Sequence, residues 1–524
     1  MSKKRLAAAA LCAVLAAGSF CGCGKQQQEE EILQDAQQGR PAATEMELPD
    51  MGYAAEEMML PDMGEEWVVK QLFIVEDELH LLAAAQEGEA TILREWQQQG
   101  EEFADVSKDW LLSLKLPCDT WADIQLMQEK SGTQYLHVRF VNEESVYQSK
   151  LWRGNGSEAV EITPQKWSVP DETWGAYEDI QGIAALDNGT LSAVSSTAID
   201  MINGEDGSIL ESENLTANYG ETMLSDGENI YLTTYGNFSG IDGIEVRPGG
   251  SGKDALKIAL PISNMGDVPC CVGEDGTLVV AGGEGIFRYN AATEEWSKLM
   301  EGTRTDFALT TCWCIGLAVK KDGSVYALFE QEGGGIRLVR HYYAPDAVEE
   351  VQKTLKLYTV WESSFLQQAA VMYHREHPEV LITVDYVYAL SDRYSGKKPD
   401  YEQVFQSLNT MLMGNDAPDI LVMDHLNVNS YADKGLLLDI DDIIAPMEQS
   451  GELFSNITCA YRQADGKRYV VPLQFGFVMG VGRDIPAENM RSLEALADYL
   501  KSQSDNYMGP MTVIELVDQF YQYF

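Results

Sequence analysis

The chain has 524 residues, enough for two or three domains, and 45% of them are hydrophobic, so a sizeable core can be buried. Its 37 basic residues face 83 acidic ones, a formal net charge of -46. A surface this acidic repels phosphate backbones and anionic headgroups, which argues against nucleic acid as a partner.

At the N-terminus, Lys3, Lys4 and Arg5 form a short positive segment, and Leu6 to Phe20 follow as a nearly unbroken apolar run. The run is shorter than the roughly 20 apolar residues of a spanning helix and has the polarity order of a secretory signal. It ends in Phe20-Cys21-Gly22-Cys23-Gly24. That ending resembles the lipobox of bacterial lipoproteins, with a small residue before the modified cysteine and an apolar one three before it. The resemblance implies that residues 1–23 are signal peptide and lipobox and that Cys23 carries acyl chains such as palmitate. It also implies a lipid-anchored protein on the extracytoplasmic face of the cell membrane. Several acyl chains on one residue anchor stably where one is marginal. An ordinary cleaved signal is the alternative. No later segment is long and apolar enough for a transmembrane helix.

Residues 24–66 read as an acidic, disordered tether. From Glu29 to Glu66 there are twelve Asp or Glu and only Arg40 as a base, too little apolar area to offset the entropy of ordering. Leu48-Pro-Asp-Met-Gly52 recurs as Leu60-Pro-Asp-Met-Gly64 and reads as a duplicated linker segment, with a docking motif as the alternative.

Residues 67–350 alternate short Val/Ile/Leu/Tyr/Thr runs with Gly, Asn and Asp turns. Hairpin signals stand at Asp187-Asn188-Gly189, Asp226-Gly227, Asp275-Gly276 and Asp322-Gly323, with weaker ones at Glu76-Asp77-Glu78 and Ser131-Gly132. Asp-Gly and Asn-Gly supply the positive φ angles of tight hairpins. Intervals of about 40 to 55 residues point to four-stranded blades. The predicted fold is an all-β propeller-like domain of six or seven blades, with a β-sandwich array as the alternative. Tyr289-Asn290-Ala291-Ala292-Thr293-Glu294-Glu295-Trp296 reads as a strand pair inside it, and the segment resembles propeller-like sensor repeats of bacterial surface proteins.

Past Cys23 the cysteines are Cys118, Cys270, Cys271, Cys312, Cys314 and Cys459. Their spacing is wrong for zinc. Cys270, Cys271, Cys312 and Cys314 lie on strands of neighbouring repeats, as buried free thiols or as a cross-strand bridge.

From residue 351 strands alternate with helices, which implies a parallel α/β sheet. Leu355–Val360, Val380–Tyr386 and Asp419–Asp424 are predicted strands. Phe365–Glu376 and Tyr401–Met413 are predicted helices, the second with Val404, Phe405, Leu408, Met411 and Leu412 on one face.

Several stretches of this region carry a family pattern: His377-Pro378-Glu379-Val380, Asn415-Asp416-Ala417-Pro418-Asp419-Ile420 with Asp424, Lys434-Gly435-Leu436-Leu437-Leu438-Asp439, and Asp465-Gly466-Lys467-Arg468-Tyr469-Val470-Val471-Pro472. In combination they resemble the extracellular solute-binding proteins of ABC importers, of the sugar-binding type. Ser492-Leu493-Glu494-Ala495-Leu496 lacks the Trp usual there. The resemblance covers Lys353 to Phe524. It implies two α/β lobes around a ligand cleft, of which residues 351–524 hold most of the first and, from Met479 to Arg483, the beginning of the second. The domain is therefore expected to be C-terminally incomplete, as a fragment or by degeneration.

In open α/β sheets ligands bind beyond the carboxyl ends of strands. Those positions are Trp361, Glu362 and Ser363 after the first strand, Asp424 after the third, and Gln474 and Phe475 after the Arg468–Pro472 strand. An aromatic face with carboxylate and amide groups suits a sugar. His374-Arg375-Glu376-His377 is not the two-histidine helix of zinc hydrolases. Gly249–Lys253 fails as a phosphate loop, and Asn203–Gly207 lacks the ligands of a calcium loop. No metal, cofactor or catalytic set is expected. The expectation is a lipid-anchored, non-enzymatic solute-binding protein that captures a sugar or oligosaccharide for an ABC permease. A non-transport surface sensor or interaction protein, or a propeller-based polysaccharide enzyme, is the alternative.

Overall fold

A computed structural model describes residues 50–472 together with 495 and 498. Excepted are 65, 143–144, 171–176, 216–218, 236–239, 263–267, 347–350, 390–391, 393–397, 415–416, 425 and 464, and the side chain of 221. Cys23 with the signal segment, the tether up to residue 49, Gln474, Phe475 and the expected start of a second lobe lie outside the described residues.

The first strand is β1 (Tyr53–Met58). Blade 1 is β2 (Trp67–Val75), β3 (Glu78–Glu87), β4 (Ala90–Gln99) and β5 (Glu102–Asp105). Helix α1 (Asp109–Ser113) leads to blade 2: β6 (Asp123–Gln128), β7 (Gln134–Val141), β8 (Tyr147–Asn155) and β9 (Glu158–Glu161). Blade 3 is β10 (Ile180–Ala185), β11 (Thr190–Ser195), β12 (Ala198–Asn203) and β13 (Ile209–Asn214). Blade 4 is β14 (Tyr219–Ser225), β15 (Asn229–Tyr235), β16 (Ile241–Pro248) and β17 (Leu256–Ala259). Blade 5 is β18 (Cys270–Val272), β19 (Leu278–Gly282), β20 (Gly285–Asn290) and β21 (Glu295–Glu301). Blade 6 takes β22 (Cys312–Val319), β23 (Val325–Gln331) and β24 (Ile336–Tyr343), and its fourth strand is β1. The domain is a six-bladed β-propeller, which selects the lower of the two blade numbers and excludes the sandwich array.

Within each blade the strands are antiparallel, and the first strand lies against its counterparts in the neighbouring blades. That innermost ring runs β2, β6, β10, β14, β18, β22 and back to β2. Second strands are buried on both faces because each blade is sandwiched between two others. Seven consecutive residues of β3, Leu79 to Gln86 less its last, are buried, whereas outer β13 is mostly exposed. Burial therefore erases the two-residue alternation in the middle of a blade and leaves the outer strands polar.

All six hairpin signals fall between the first and second strands of a blade. Gly132, Gly189, Gly227, Gly276 and Gly323 take φ of 84°, 82°, 91°, 78° and 85°. Blade 1 makes the same turn with Glu76 at 51° and Asp77 at 63°, a left-handed conformation that costs side-chain-bearing residues about 1 kcal/mol each.

The tether reading fails for its far end. Tyr53–Met58 closes the ring by pairing antiparallel with β24, from Tyr53 opposite Tyr343 to Met58 opposite Leu338. An outer strand needs few apolar residues, so Tyr-Ala-Ala-Glu-Glu-Met is acidic and still ordered. The duplicated motif flanks this strand. Asp50 of the first copy accepts from the backbone N–H groups of Gly52 (2.7 Å) and Glu301 (2.9 Å) and pairs with Arg304 at 2.9 Å. Leu60 and Met63 of the second copy pack on the core shared by blades 1 and 6. All six described cysteines are free thiols, and Cys271 lies in the blade 5–6 core with Cys312 and Cys314 packed against it.

After the propeller comes a three-stranded parallel sheet in the order β26 (Val380–Tyr388), β25 (Lys353–Trp361), β27 (Ile420–Leu421). Helix α2 (Ser364–Glu376) connects β25 to β26 and is capped by Ser363, whose hydroxyl accepts from Leu366 N–H. Helix α3 (Tyr401–Leu412) is capped by Asp400 and buries Val404 and Leu408. The third strand is shorter than expected, with only two residues paired.

Residues through Asp424 form one compact unit and those from His425 another. The second holds α4 (Val428–Asp433), α5 (Asp441–Ser450) and α6 (Ser455–Thr458). Its buried Arg468 grips Glu448 with two bonds of 2.5 and 2.6 Å, which holds that carboxyl down at about 2. The Asp465-Gly466-Lys467 stretch is the turn of a short antiparallel bridge between Arg462 and Arg468.

Candidate functional site

Strands of a blade alternate in direction, so the inter-blade connections and the turns between second and third strands share one face of the propeller. The parallel sheet meets this face beside blade 5. Asp306, in the connection from blade 5 to blade 6, is held by Arg337 of β24 at 2.6 Å and by Arg375 of α2. Thr310 in the same connection hydrogen-bonds Gln368 of α2. Two arginines on one largely buried carboxylate form a strong, geometrically specific contact.

Between these elements lies a cavity of about 180 Å³. One wall is the β19–β20 turn, Gly282-Gly283-Glu284, and another is Phe307 to Thr310. The third is the carboxyl end of β25 and the start of α2: Glu362, Ser364 and Gln367. Ile262 and Phe307 make part of it apolar. Close packing shapes the turn, since Gly302 N–H donates to the Glu284 carbonyl and a Cβ on Gly302 would lie 1.8 Å from the Gly283 oxygen.

Tyr386, at the end of β26, donates its hydroxyl to Glu284 Oε1 at 2.9 Å. Burial pushes the Tyr386 hydroxyl far up from its ordinary value, and the charges of Glu284, Glu362 and Asp392 push it further. It stays protonated, a donor among carboxylates. The cavity thus offers carboxylate acceptors from two domains, an amide and an apolar wall, an equipment suited to a polyhydroxylated solute.

Of the sequence-predicted residues, Glu362 lines this cavity. Trp361 stands beside it with its ring 5.3 Å from that of Tyr388, and does not line it. Ser363 is occupied as the α2 cap. Asp424 is exposed after β27 and is not part of the lining. Gln474 and Phe475 lie outside the described residues. Sequence reasoning missed Glu284, Gln367 and Tyr386. The Gly-Gly-Glu turn was visible as a turn, but nothing in the chain links it to Glu362 before the fold does. Among the described residues no group of three or more His, Cys, Asp or Glu is arranged to hold a metal ion, and no helix is long and apolar enough to cross a membrane.

No protein-family model matches the chain, and no curated protein matches it. Neither comparison supports the lipoprotein or solute-binding resemblance. Solved structures do match. A mannose phosphorylase from Leishmania mexicana is 13% identical over 62% of this chain and 96% of its own, with a TM-score of 0.29. The β-propeller domain of the Trilobed protease from Pyrococcus furiosus is 9% identical over 53% and 94%, with a TM-score of 0.31. A Hadza microbial sialidase is 12% identical over 54% and 67%, with a TM-score of 0.33. Likeness at this level transfers no substrate and no residue role. The expectation of a non-enzymatic protein is nevertheless corrected: a propeller fold hosts enzymes and binding proteins alike, so it gives no ground for excluding catalysis.

Proposed function

We propose that the protein is an extracytoplasmic recognition protein, anchored through Cys23, that senses or captures a small polyhydroxylated solute in the Glu284–Glu362 cavity. The observation that carries this reading is the convergence of Glu362, at the carboxyl end of a parallel strand, with Glu284 of the propeller around one small cavity. The propeller takes the position of the opposing wall that a second α/β lobe would supply. Delivery of the solute to an ABC permease belongs to this proposal only through the resemblance of residues 353–472.

The test is thermal unfolding of the full chain with a panel of mono- and disaccharides. A solute at 100 times its dissociation constant adds about 2.7 kcal/mol. Glu362→Gln and Glu284→Gln should each weaken that shift at least tenfold in ligand concentration. An unmoved midpoint across the panel sinks the reading.

A second reading is glycan cleavage or transfer in the same cavity, favoured by two carboxylates on facing walls, the minimal equipment of acid–base glycoside chemistry. Release of new reducing ends that stops in both glutamine variants would make this the primary reading.

A further inference from the structure

We infer that Gln367 is the specificity-determining residue of the Glu284–Glu362 cavity, and that its amide reads two adjacent hydroxyls on a single sugar ring. This assignment rests on the solute reading of that cavity and narrows its ligand.

Gln367 lies one turn into α2, where the helix crosses the propeller face. Its neighbours in the helix are engaged. Leu366 and Ala370 pack on Leu357 and Ile382 of the parallel sheet. Val371 packs with Ala308 and Leu309, and Gln368 bonds Thr310. Gln367 differs from all of these. It is only 6% exposed and lines the cavity, yet its side-chain amide has no hydrogen-bond partner among the described residues. Its backbone N–H donates to the Ser363 carbonyl and is used within the helix. Buried polar groups are almost always paired, because an unpaired one bears the full cost of its desolvation. An amide left unpaired on the wall of a cavity is accounted for by a partner that arrives in the cavity.

The propeller fixes where this amide lies. A Cβ on Gly283 would stand 2.8 Å from its Oε1, 3.4 Å from its Cδ and 3.5 Å from its Nε2. The whole amide group is therefore seated against the β19–β20 turn of blade 5. Gly283 carries no left-handed φ, so the close approach of the amide, and not the backbone, is what asks for glycine there.

The donor and acceptor inventory selects the ligand. Ionised Glu284 and Glu362 only accept, whatever else they touch, so a ligand between them must donate towards two walls. The Gln367 amide asks for a donor at Oε1 and an acceptor at Nε2, side by side in one plane. Hydroxyls meet both demands, since each donates and accepts, and two on adjacent carbons present the pair that one amide can span. A ring carrying several of them spreads its donors over both walls. A ligand carboxylate supplies no donor, and a primary carboxamide has its donors on a single atom. Ile262, Phe307, Ala308 and Leu309 give the C–H face of a ring an apolar surface. The cavity of about 180 Å³ equals the liquid volume of about six water molecules, room for one ring.

Isothermal titration of the full chain tests this, with D-glucose, D-galactose, D-mannose and myo-inositol, the monodeoxy forms of each sugar that binds, and propionamide. At least one of the four polyols should bind. Its deoxy form lacking either of the two adjacent hydroxyls should bind at least about tenfold more weakly. Gln367→Met keeps an unbranched side chain without the amide. It should weaken the parent sugar at least as much, and in this variant the parent and that deoxy form should bind alike. Gly283→Ala, which pushes the amide aside, should weaken the parent severalfold. In the ligand-free protein Gln367→Met should leave the thermal midpoint unchanged or raise it, because the amide gives up no protein partner. A lowered midpoint would mark a structural amide and overturn the assignment. Full affinity in Gln367→Met, or continued discrimination against the deoxy form in that variant, overturns it too; the cavity reading then stands if Glu362→Gln has lost binding. No discrimination by the wild type among the monodeoxy forms also overturns it. Gln367-dependent binding of propionamide, with none of the polyols, overturns it in favour of a carboxamide ligand. Binding of none of these compounds defeats the cavity reading and the assignment together.

Discussion

The propeller and the parallel sheet solve the problem of sheet edges in opposite ways. In the propeller, six blades share their faces around a ring, and a strand from the start of the domain completes the last blade. Its second strands are buried on both sides. In the sheet, β25 alone is flanked on two sides, β27 pairs by two residues, and most side chains of β26 are only partly buried. The difference teaches that the propeller is cooperative by construction, whereas the sheet is seated on the propeller face by side chains: Arg375 on Asp306, Gln368 with Thr310, Tyr386 on Glu284, and Val371 packed with Ala308 and Leu309.

The strongest way to break this comparison is to hollow each core in turn. Phe329 is fully buried in the blade 5–6 cluster, and Phe329→Ala should cost about 3–5 kcal/mol. Leu408→Ala, on α3, should cost about 2–3 kcal/mol and reduce helical circular dichroism while the β signal persists. Equal, all-or-none losses in urea melts of both variants would mean that the two regions unfold as one.

Asp50→Ala attacks the ring at its closure. It leaves Arg304, 8% exposed at its side chain, without its carboxylate, and frees two backbone donors. A loss of about 3 kcal/mol is expected. Unchanged stability would show that the β1–β24 ladder closes the ring unaided.

Acid should weaken the propeller before it weakens the sheet. Burial, helped by the charge of Arg139, pulls His137 down to about 3 from 6.5. Burial likewise takes His341 to about 4, against the opposing pull of the Val325 carbonyl and Asp306. A depressed folded value means that the unfolded chain binds more protons between 6.5 and these values. Stability is therefore fully present above about 6.5 and is lost as the pH falls towards 4 and 3. The two together should remove about 2 kcal/mol between pH 7 and 5.5, read as a lower urea midpoint. A flat profile in the wild type, or the same slope in the double variant His137→Phe/His341→Phe, would refute the assignment.

The smallest effect sharpens the comparison inside the propeller. Glu76→Gly should relieve the left-handed backbone of the one hairpin between first and second strands that is built without glycine, and raise stability by about 1 kcal/mol. Its backbone N–H still donates to Glu274. A loss would mean that the Glu76 side chain makes a contact more valuable than the strain.

The propeller was legible because its turns demand unusual backbone. Asp-Gly and Asn-Gly are among the few pairs that adopt positive φ cheaply, and even the weak signals at Glu76-Asp77 and Ser131-Gly132 mark real hairpins. β1 was not legible, because an outer strand selects for neither hydrophobicity nor alternation, and its acidic residues resemble a tether. The position of Glu362, just past the carboxyl end of β25, was legible from the strand pattern alone. Glu284 was not, because its relation to Glu362 exists only once blade 5 and β25 have met. Ser363 shows the converse: a polar residue at a strand end can be consumed by capping the next helix.

The Asp50–Arg304 clasp also fixes how the domain bears load. Tension arriving along the chain from its N-terminal side reaches Asp50 before it reaches β1. A bare antiparallel outer strand pulled from Tyr53 would unzip one rung at a time. The clasp instead passes the force into the Gly302–Arg304 turn and the end of β21, so that the load is shared with blade 5. The closing strand is moored like a rope taken round a bollard before it reaches the knot.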